Sequence, residues 1–170
     1  MTEMVCAGAS PAADIGGIDP NLVVGDRTSI ERANVEAVLR LFDDGWGANV
    51  GWEDVWRTQV ASDVRTCFHS HVPLEGLDAA IAFNRELFTG FPTLQMTVEN
   101  VTVEGNTVIV RGHLNGRQDG PFLGAPASGA VVDVPDVTLF RLEDGKIVES
   151  RYFTDLLAVM TAIGAVEMRG

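Results

Sequence analysis

Several side chains that could transfer or hold protons lie close together near the end of the sequence. Asp136 and Tyr152 carry a carboxyl and a phenol, and Thr138 carries a hydroxyl two residues after that carboxyl. Residues i and i+2 of a strand point to the same side, so Asp136 and Thr138 share one face if this stretch is extended. Arg151 and Asp155 flank the phenol. We therefore look first to this stretch for acid/base chemistry.

These residues lie on a predicted hairpin that is closed by a helix. Two alternating apolar runs, 131–142 and 146–153, flank Asp144-Gly145. Asp-Gly between such runs is the strongest short-range signal for a two-residue turn, because glycine accepts the positive φ that the turn requires. A helix is predicted to begin at Asp155. The hairpin and the helix are the elements that must position the candidate groups.

The histidine pair His69 and His71 forms a second candidate group. The run VRTCFHSH, residues 64–71, alternates as a half-buried strand does, which puts Cys67 and both histidines on one face and Phe68 on the other. A His-x-His pair can bind a metal, but a third ligand of matching character is not evident, so we predict no metal site. Acid/base, hydrogen-bonding and solvent-exposed roles all stay open for the pair.

Composition limits the class of protein and its partners. With 170 residues, 46% of them hydrophobic and 21% charged, the chain is long enough for one domain with a core. We expect residues 1–27 to form a flexible tail and residues 28–170 to form that single domain. A net charge of −12 without a basic cluster argues against nucleic acid as a partner. The short apolar runs predict neither a membrane span nor a signal peptide, and we expect a cytoplasmic protein.

The other segments carry helical or strand patterns in an order that indicates the fold class. That order is helix 28–44, short helix 52–59, strand 64–71, helix 76–88, and strands 94–104 and 107–115. The first helix opens on Thr28-Ser29-Ile30-Glu31, which has the form of a capping box. Together with the hairpin, this order predicts an α+β fold, with helices on one face of a curved antiparallel sheet. Such a cone encloses a deep apolar pocket, although the pattern leaves open which face of strand 107–115 points into it.

Four segments resemble the SnoaL-like branch of the NTF2-like superfamily: FPTLQMTVENV (91–101), TVIVRGHLNG (107–116), FLGAPASG (122–129) and FRLEDGKIVESRYFTDLLAVMTAIG (140–164). Gly124, Pro126, Ser128 and Gly129 match that family's Gly-x-Pro-Pro-Thr-Gly loop. Its Arg-x-x-Asp-Gly-Lys-Ile-x-Glu motif is matched by Arg141, Asp144, Gly145, Lys146, Ile147 and Glu149. The resemblance covers about residues 29–165 and implies an NTF2-like cone with helices over the mouth of a deep pocket.

The resemblance also implies a function. It suggests a cyclase or isomerase without metal or organic cofactor, acting by acid/base catalysis on a hydrophobic polyketide or terpenoid-like intermediate. The family's catalytic acidic residue falls at Thr138 here, and Asp136 is the substitute on the same strand face. The predicted catalytic residues are His69, His71, Asp136 and Tyr152. The predicted substrate-binding residues are Trp56, Phe91, Gln118, Thr138 and Phe140.

Two other functions stay open at this stage. An epoxide hydrolase of the limonene epoxide hydrolase type, or an epoxide-opening cyclase, would use Arg117, Asp119 and Tyr152. A small-ligand-binding module without catalysis would need none of these groups in a pocket. The resemblance further implies a homodimer through the outer face of the sheet, where Arg111 and His113 are candidate contacts.

Each candidate residue also has a structural explanation. Asp155 is suited to capping the last helix. Arg141 and Glu149 are placed to pair across the hairpin on its outer face. Asp136 follows Pro135 and could face solvent at a strand irregularity, and Tyr152 could be a core residue with a satisfied hydroxyl.

Overall fold

The computed structural model describes residues 27–47, 49–68 and 73–167. In these ranges the chain forms four helices and six strands: α1 (Ser29–Asp44), α2 (Trp52–Gln59), β1 (Val60–Phe68), β2 (Leu74–Glu75), α3 (Leu77–Gly90), β3 (Gln95–Glu104), β4 (Thr107–Arg117), β5 (Val131–Glu143), β6 (Lys146–Tyr152) and α4 (Leu156–Ala162). The predicted tail lies outside the described ranges except for Arg27, and so do His69 and His71.

The first helix begins at the capping box that its sequence predicts. The Thr28 hydroxyl accepts a hydrogen bond from the Glu31 amide at 3.2 Å, and the Glu31 carboxylate accepts one from the Thr28 amide at 2.9 Å. The Glu31 carboxylate also accepts a hydrogen bond from the Gly105 amide at 2.9 Å. The start of α1 is therefore anchored to the turn between β3 and β4.

The six strands form one curved sheet in the order β2-β1-β6-β5-β4-β3. The hairpins β3–β4 and β5–β6 are confirmed as antiparallel pairs. β1 instead pairs in parallel with β6, and this pairing sets Phe68 beside Tyr152. The predicted start of β1 at Val64 was wrong by four residues, because the strand continues directly from α2 at the buried Val60. These elements confirm the predicted α+β class.

The alternation of buried and exposed residues assigns the two faces of the sheet. On β4 the inward side carries Val110, Gly112 and Leu114, whereas Arg111 and His113 point outward. The question that the sequence left open for this strand is thereby answered. Gly112 is required by close packing, because a Cβ at this position would lie 2.1 Å from the Thr97 carbonyl oxygen of β3.

The core lies between the concave face of the sheet and the helices α1, α2, α3 and α4. Aromatic rings occupy its centre: Phe42 packs edge-on against Trp46 at 5.1 Å and against Phe140 at 5.6 Å. Trp46 also lies 6.2 Å from both Phe88 and Tyr152. The helices thus cover an apolar interior with aromatic rings near its centre. No helix within the described residues is long and apolar enough to cross a membrane.

Candidate active site

Asp136 lies on the inner face of β5, with only 2% of its surface exposed. Its neighbours Pro135 and Val137 point outward, so the strand stays regular and does not turn the carboxylate to solvent. Thr138 donates to one carboxylate oxygen at 2.7 Å, and Thr154 donates to the other. Among the ion pairs of the described residues, none includes Asp136. Two hydroxyl donors therefore hold a buried carboxylate that retains further lone pairs for a substrate proton.

Tyr152 lies on β6 directly across from Thr138. Its side chain is buried, and its hydroxyl makes no hydrogen bond of normal geometry. Burial raises the pKa of the phenol far above its usual value, the nearby charge of Asp136 raises it further, and Ser150 opposes these effects weakly. Tyr152 is consequently a neutral hydrogen-bond donor throughout the physiological pH range.

A cage of rings orients the Tyr152 side chain. Its ring stacks on Phe68 with centroids 4.6 Å apart, and Phe68 stacks on Phe83 of α3 at 4.1 Å. Phe140 lies perpendicular to the Tyr152 ring at 6.0 Å. Trp46 covers another side of it. The phenol is held by packing on rigid elements, as a site that must fix a donor requires.

An interior cavity of about 30 Å³ lies under the helices next to Tyr152. Its walls are uncharged and mostly apolar, and comprise Trp46, Phe68, Leu87, Phe91, Leu94, Leu114, Phe122, Val132, Tyr152, Thr154, Leu156 and Val159. A space of this size holds about one water, whereas small-molecule sites typically measure roughly 300–1,000 Å³. A larger ligand must therefore displace side chains of this wall in order to bind.

A surface groove of about 720 Å³ adjoins the cavity. Tyr152, Thr154 and Leu156 line both spaces, and Asp136 also lines the groove. Arg65 and Arg151 border the groove, and each of them forms an ion pair with a glutamate. We call Asp136, Thr138, Tyr152 and Thr154 the acid/base cluster. Its residues Tyr152 and Thr154 reach the cavity, and Asp136 reaches the groove.

Three of the predicted substrate-binding residues lie at this cluster or at the cavity. Phe91 lines the cavity. Thr138 donates its hydroxyl to Asp136, and Phe140 packs against Tyr152. These positions follow from the alternation of β5, whose inward residues include Asp136, Thr138 and Phe140.

Gln118 and Trp56 lie elsewhere and have structural partners. The Gln118 amide donates to the Pro126 carbonyl at 3.1 Å and accepts from the Ser128 hydroxyl at 2.6 Å, which holds the loop 121–130 against β4. Trp56 donates through Nε1 to the Gly45 carbonyl at 2.9 Å. Because neither side chain lines the cavity or the groove, the geometry supports a structural role for both.

The residues of the epoxide-hydrolase alternative are not assembled. Arg117 and Asp119 form an ion pair at 2.6 Å, with 60% and 34% of their side chains exposed. Tyr152 lines the interior cavity, but Arg117 and Asp119 do not.

Three other residues have the structural roles that the sequence suggests. Asp155 caps α4 by accepting from the Ala158 amide at 2.9 Å, and Arg141 lies 3.5 Å from Glu149 across the hairpin. The structural explanations for Asp155, Arg141 and Glu149 are therefore confirmed.

Sequence reasoning singled out neither Thr154 nor Trp46. Strand alternation contained the signal for Thr154, since residues 152 and 154 share a side if the strand continues past its last paired residue. Trp46 lies two residues past the end of α1, is buried and lines the cavity. Lining a cavity and filling a core give the same apolar pattern, so the pattern alone could not separate them.

His69 and His71 lie outside the described residues, and their catalytic role stays a prediction. The flanking residue Phe68 lines the cavity, and Pro73 lines the groove. On β1, Phe68 faces inward and Cys67 is half-buried on the other face. The described part of the chain contains no group of three His, Cys, Asp or Glu side chains placed to hold a metal ion.

Comparison with known proteins identifies the family of this cone-shaped fold. The SnoaL-like polyketide cyclase family matches residues 36–163, and the chain belongs to this family. A protein of Jannaschia sp. CCS1, assigned to the SnoaL-like polyketide cyclases, has a crystal structure with 62% identity and a TM-score of 0.80, covering 85% of this chain and 100% of that one. None of the curated proteins compared with the sequence matches it.

More distant structures confirm the NTF2-like fold. TsrD from Streptomyces laurentii is 26% identical with a TM-score of 0.63, and the match covers 84% of this chain and 100% of that chain. An NTF2-like protein of Burkholderia pseudomallei K96243 is 17% identical with a TM-score of 0.62, covering 77% and 97% of the two chains. Both the predicted fold and the predicted family are therefore confirmed.

Proposed function

We propose that the protein is a cofactor-independent cyclase or isomerase that acts by acid/base catalysis on a polyketide or terpenoid-like intermediate. The observation that carries this proposal is the acid/base cluster. A buried carboxylate held by two hydroxyls lies beside a phenol that stays protonated, at the edge of an apolar cavity. Membership of the SnoaL-like polyketide cyclase family supports the same reaction class.

In the proposed mechanism, Asp136 is the general base. Its carboxylate removes a proton from a carbon next to a carbonyl, or from a hydroxyl, and becomes a carboxylic acid. The electron pair moves toward the carbonyl oxygen, and Tyr152 stabilises that oxyanion with a hydrogen bond. The resulting carbanion equivalent attacks a second carbonyl to close a ring, or takes back a proton at another carbon to complete an isomerisation. Side chains alone carry these steps.

The histidine pair is a proposed source of the second proton. After ring closure the new alkoxide must be protonated, and an imidazolium or the protonated Asp136 can supply that proton. We propose His69 and His71 for this role because Cys67, which shares their face in the predicted strand, and Pro73 both line the groove beside Asp136.

The test of the proposed function is the variant Asp136→Asn, which keeps the shape of the side chain and removes its basicity. We expect turnover of a linear poly-β-keto ester to fall about 100-fold or more, followed as cyclised product by mass spectrometry. Asp133→Asn is the matched control, because Asp133 is on the same strand but points outward to His113 at 2.8 Å. Its turnover should equal that of the wild type.

Circular dichroism should show both variants folded. Equal turnover by wild type and Asp136→Asn would contradict the acid/base mechanism. If that variant still bound the ester, a ligand-binding module without catalysis would then be the better description.

We also propose a homodimer through the outer face of the sheet. That face carries exposed apolar side chains, with Val131, Val137 and Phe153 exposed by 71%, 36% and 61%. Large apolar side chains grouped on one sheet face are typical of an interaction surface. A second copy of the chain would bury them, and it would cover the part of the groove that Val137 and Phe153 line.

A further inference from the structure

Besides the Tyr152 hydroxyl, two further buried side chains in the described part of the interior have polar atoms without a hydrogen-bond partner. Both polar atoms of the Asn84 amide and the Nε1 of Trp46 lack a partner, although these residues are only 1% and 4% exposed. Roughly nine in ten or more of the buried polar groups in proteins have a hydrogen-bond partner, and each group without one lowers stability. Packing alone therefore does not explain an asparagine and an indole N–H at these positions.

Ring contacts place Asn84 over the same part of the interior as Trp46. Asn84 lies on the buried stripe of α3, one helical turn before Phe88, whose ring is 6.2 Å from Trp46. The preceding residue, Phe83, stacks on Phe68, which in turn stacks on Tyr152. The turn of α3 that carries Asn84 therefore packs behind the aromatic wall of the cavity. Trp46 lines the cavity and Asn84 does not, so a ligand reaches the Asn84 amide only when side chains of that wall move.

The chemistry of these groups indicates what would satisfy them. An indole N–H only donates, whereas an amide donates through its nitrogen and accepts through its oxygen. The residues that line the interior cavity are all uncharged. A carboxylate or ammonium would lose its hydration there without a counter-charge, so the part of a ligand that enters must be neutral.

We propose that Asn84 and Trp46 bind the oxygen atoms of a neutral, apolar ligand that carries both carbonyl and hydroxyl groups. Carbonyl oxygens accept from the Trp46 indole and the Asn84 nitrogen, and a hydroxyl donates to the Asn84 oxygen. The inference rests on the proposed function, since the ligand would be the molecule on which Asp136 acts. It adds two binding residues and the neutrality of the substrate.

The experiment compares Asn84→Leu with Asn34→Leu. Both asparagines are buried, but the Asn34 amide donates to the Gly105 carbonyl at 3.1 Å, far along the chain from the cavity. Leucine removes an unpaired amide at 84 and a paired amide at 34. We expect the Tm to rise by about 3 °C for Asn84→Leu and to fall by about 3 °C for Asn34→Leu.

The binding probes are dihydroxyanthraquinone and anthracene, which share a ring skeleton and differ in their oxygens. We expect Asn84→Leu to weaken dihydroxyanthraquinone binding about tenfold and to leave anthracene binding unchanged. Asn34→Leu should bind both probes as the wild type does. Trp46→Phe, which keeps a ring and removes the donor, should show the same loss as Asn84→Leu if the leucine variant fails to fold.

Three results would overturn the inference. One is a wild type that binds neither probe, another is an unchanged affinity in both Asn84→Leu and Trp46→Phe, and the third is an equal loss for the two probes. These binding readouts do not depend on turnover. If Asp136→Asn kept full turnover while Asn84→Leu lost binding, the proposed mechanism would fail and the ligand assignment would stand.

Discussion

At the scale of single residues, the site combines a carboxylate and a phenol in an unusual electrostatic setting. Asp136 accepts hydrogen bonds from the Thr138 and Thr154 hydroxyls, and it forms no ion pair with any residue in the described ranges. Its negative charge then acts on Tyr152 and disfavours the phenolate. Asp136 is therefore suited to accept a proton, and Tyr152 is suited to keep its own proton and donate a hydrogen bond.

The titration of Tyr152 tests whether the phenol stays protonated in the folded protein. Tyr152 is the only tyrosine in the chain, so the near-ultraviolet absorbance of tyrosinate reports it alone. Because the folded pKa is raised, the native protein should show no tyrosinate signal at pH values near about 10, where an unfolded chain ionises.

The same shift sets the sign of a stability change. Below the unfolded pKa of about 10 both states are protonated, and the contribution of Tyr152 is fully present. Above it, only the unfolded state loses the proton, so the free energy of unfolding should fall by up to about 1.4 kcal/mol per pH unit. Tyr152→Phe should lack this component in urea titrations. A tyrosinate signal from folded protein near its ordinary pKa would contradict the assignment.

At the scale of elements, the position of β3 against β4 depends on Gly112. This glycine faces Asp136 in the register of β4 and β5, and β3 approaches it closely beside a register shift between Val98 and Asn100. A methyl group at 112 would meet the backbone of Thr97, which can yield only by separating the strands. The same absence of a side chain keeps the sheet closely paired next to the acid/base cluster.

Gly112→Ala should therefore lower the free energy of unfolding by about 3 kcal/mol, measured by urea denaturation. Gly105→Ala is the control, because its Cβ would meet nothing within 4 Å and only its φ of +56° is unfavourable. That variant should lose about 1 kcal/mol. Equal losses would show that conformational preference, not strand packing, requires glycine at 112.

At the scale of the whole molecule, the proposed homodimer would form through the outer face of the sheet. Val137 and Phe153 lie side by side there, since the Phe153 amide donates to the Val137 carbonyl at 2.9 Å. The net charge of −12 per chain opposes association, so the apolar area must outweigh this repulsion for a dimer to form.

Val137→Lys should convert the proposed dimer into a monomer at micromolar concentration, as measured by light scattering, because it would bury a charge in an apolar contact. Val50→Lys is the matched control, a fully exposed valine between α1 and α2. It should leave the mass unchanged. A monomeric wild type would contradict the dimer directly.

Much of the fold could be predicted from the sequence because its signals are local. The capping box at Thr28 and the Asp-Gly turn act over a few residues, and strand alternation puts Asp136 and Thr138 on one face. Buried and exposed patterns distinguish an element's two sides. They do not say what lies across from them, so the role of Gln118 depended on its partner Ser128.

The sequence by itself determined the helices, the two hairpins, the family resemblance and the shared face of Asp136 and Thr138. Only the tertiary structure decided that β1 pairs in parallel with β6, that Thr154 donates the second hydrogen bond to the Asp136 carboxylate, and that Asn84 and Trp46 stay unpaired. The physical reason is the distance along the chain over which these interactions act. Turn and capping energies depend on neighbouring residues, whereas pairing, burial and the size of a cavity depend on how distant segments pack together.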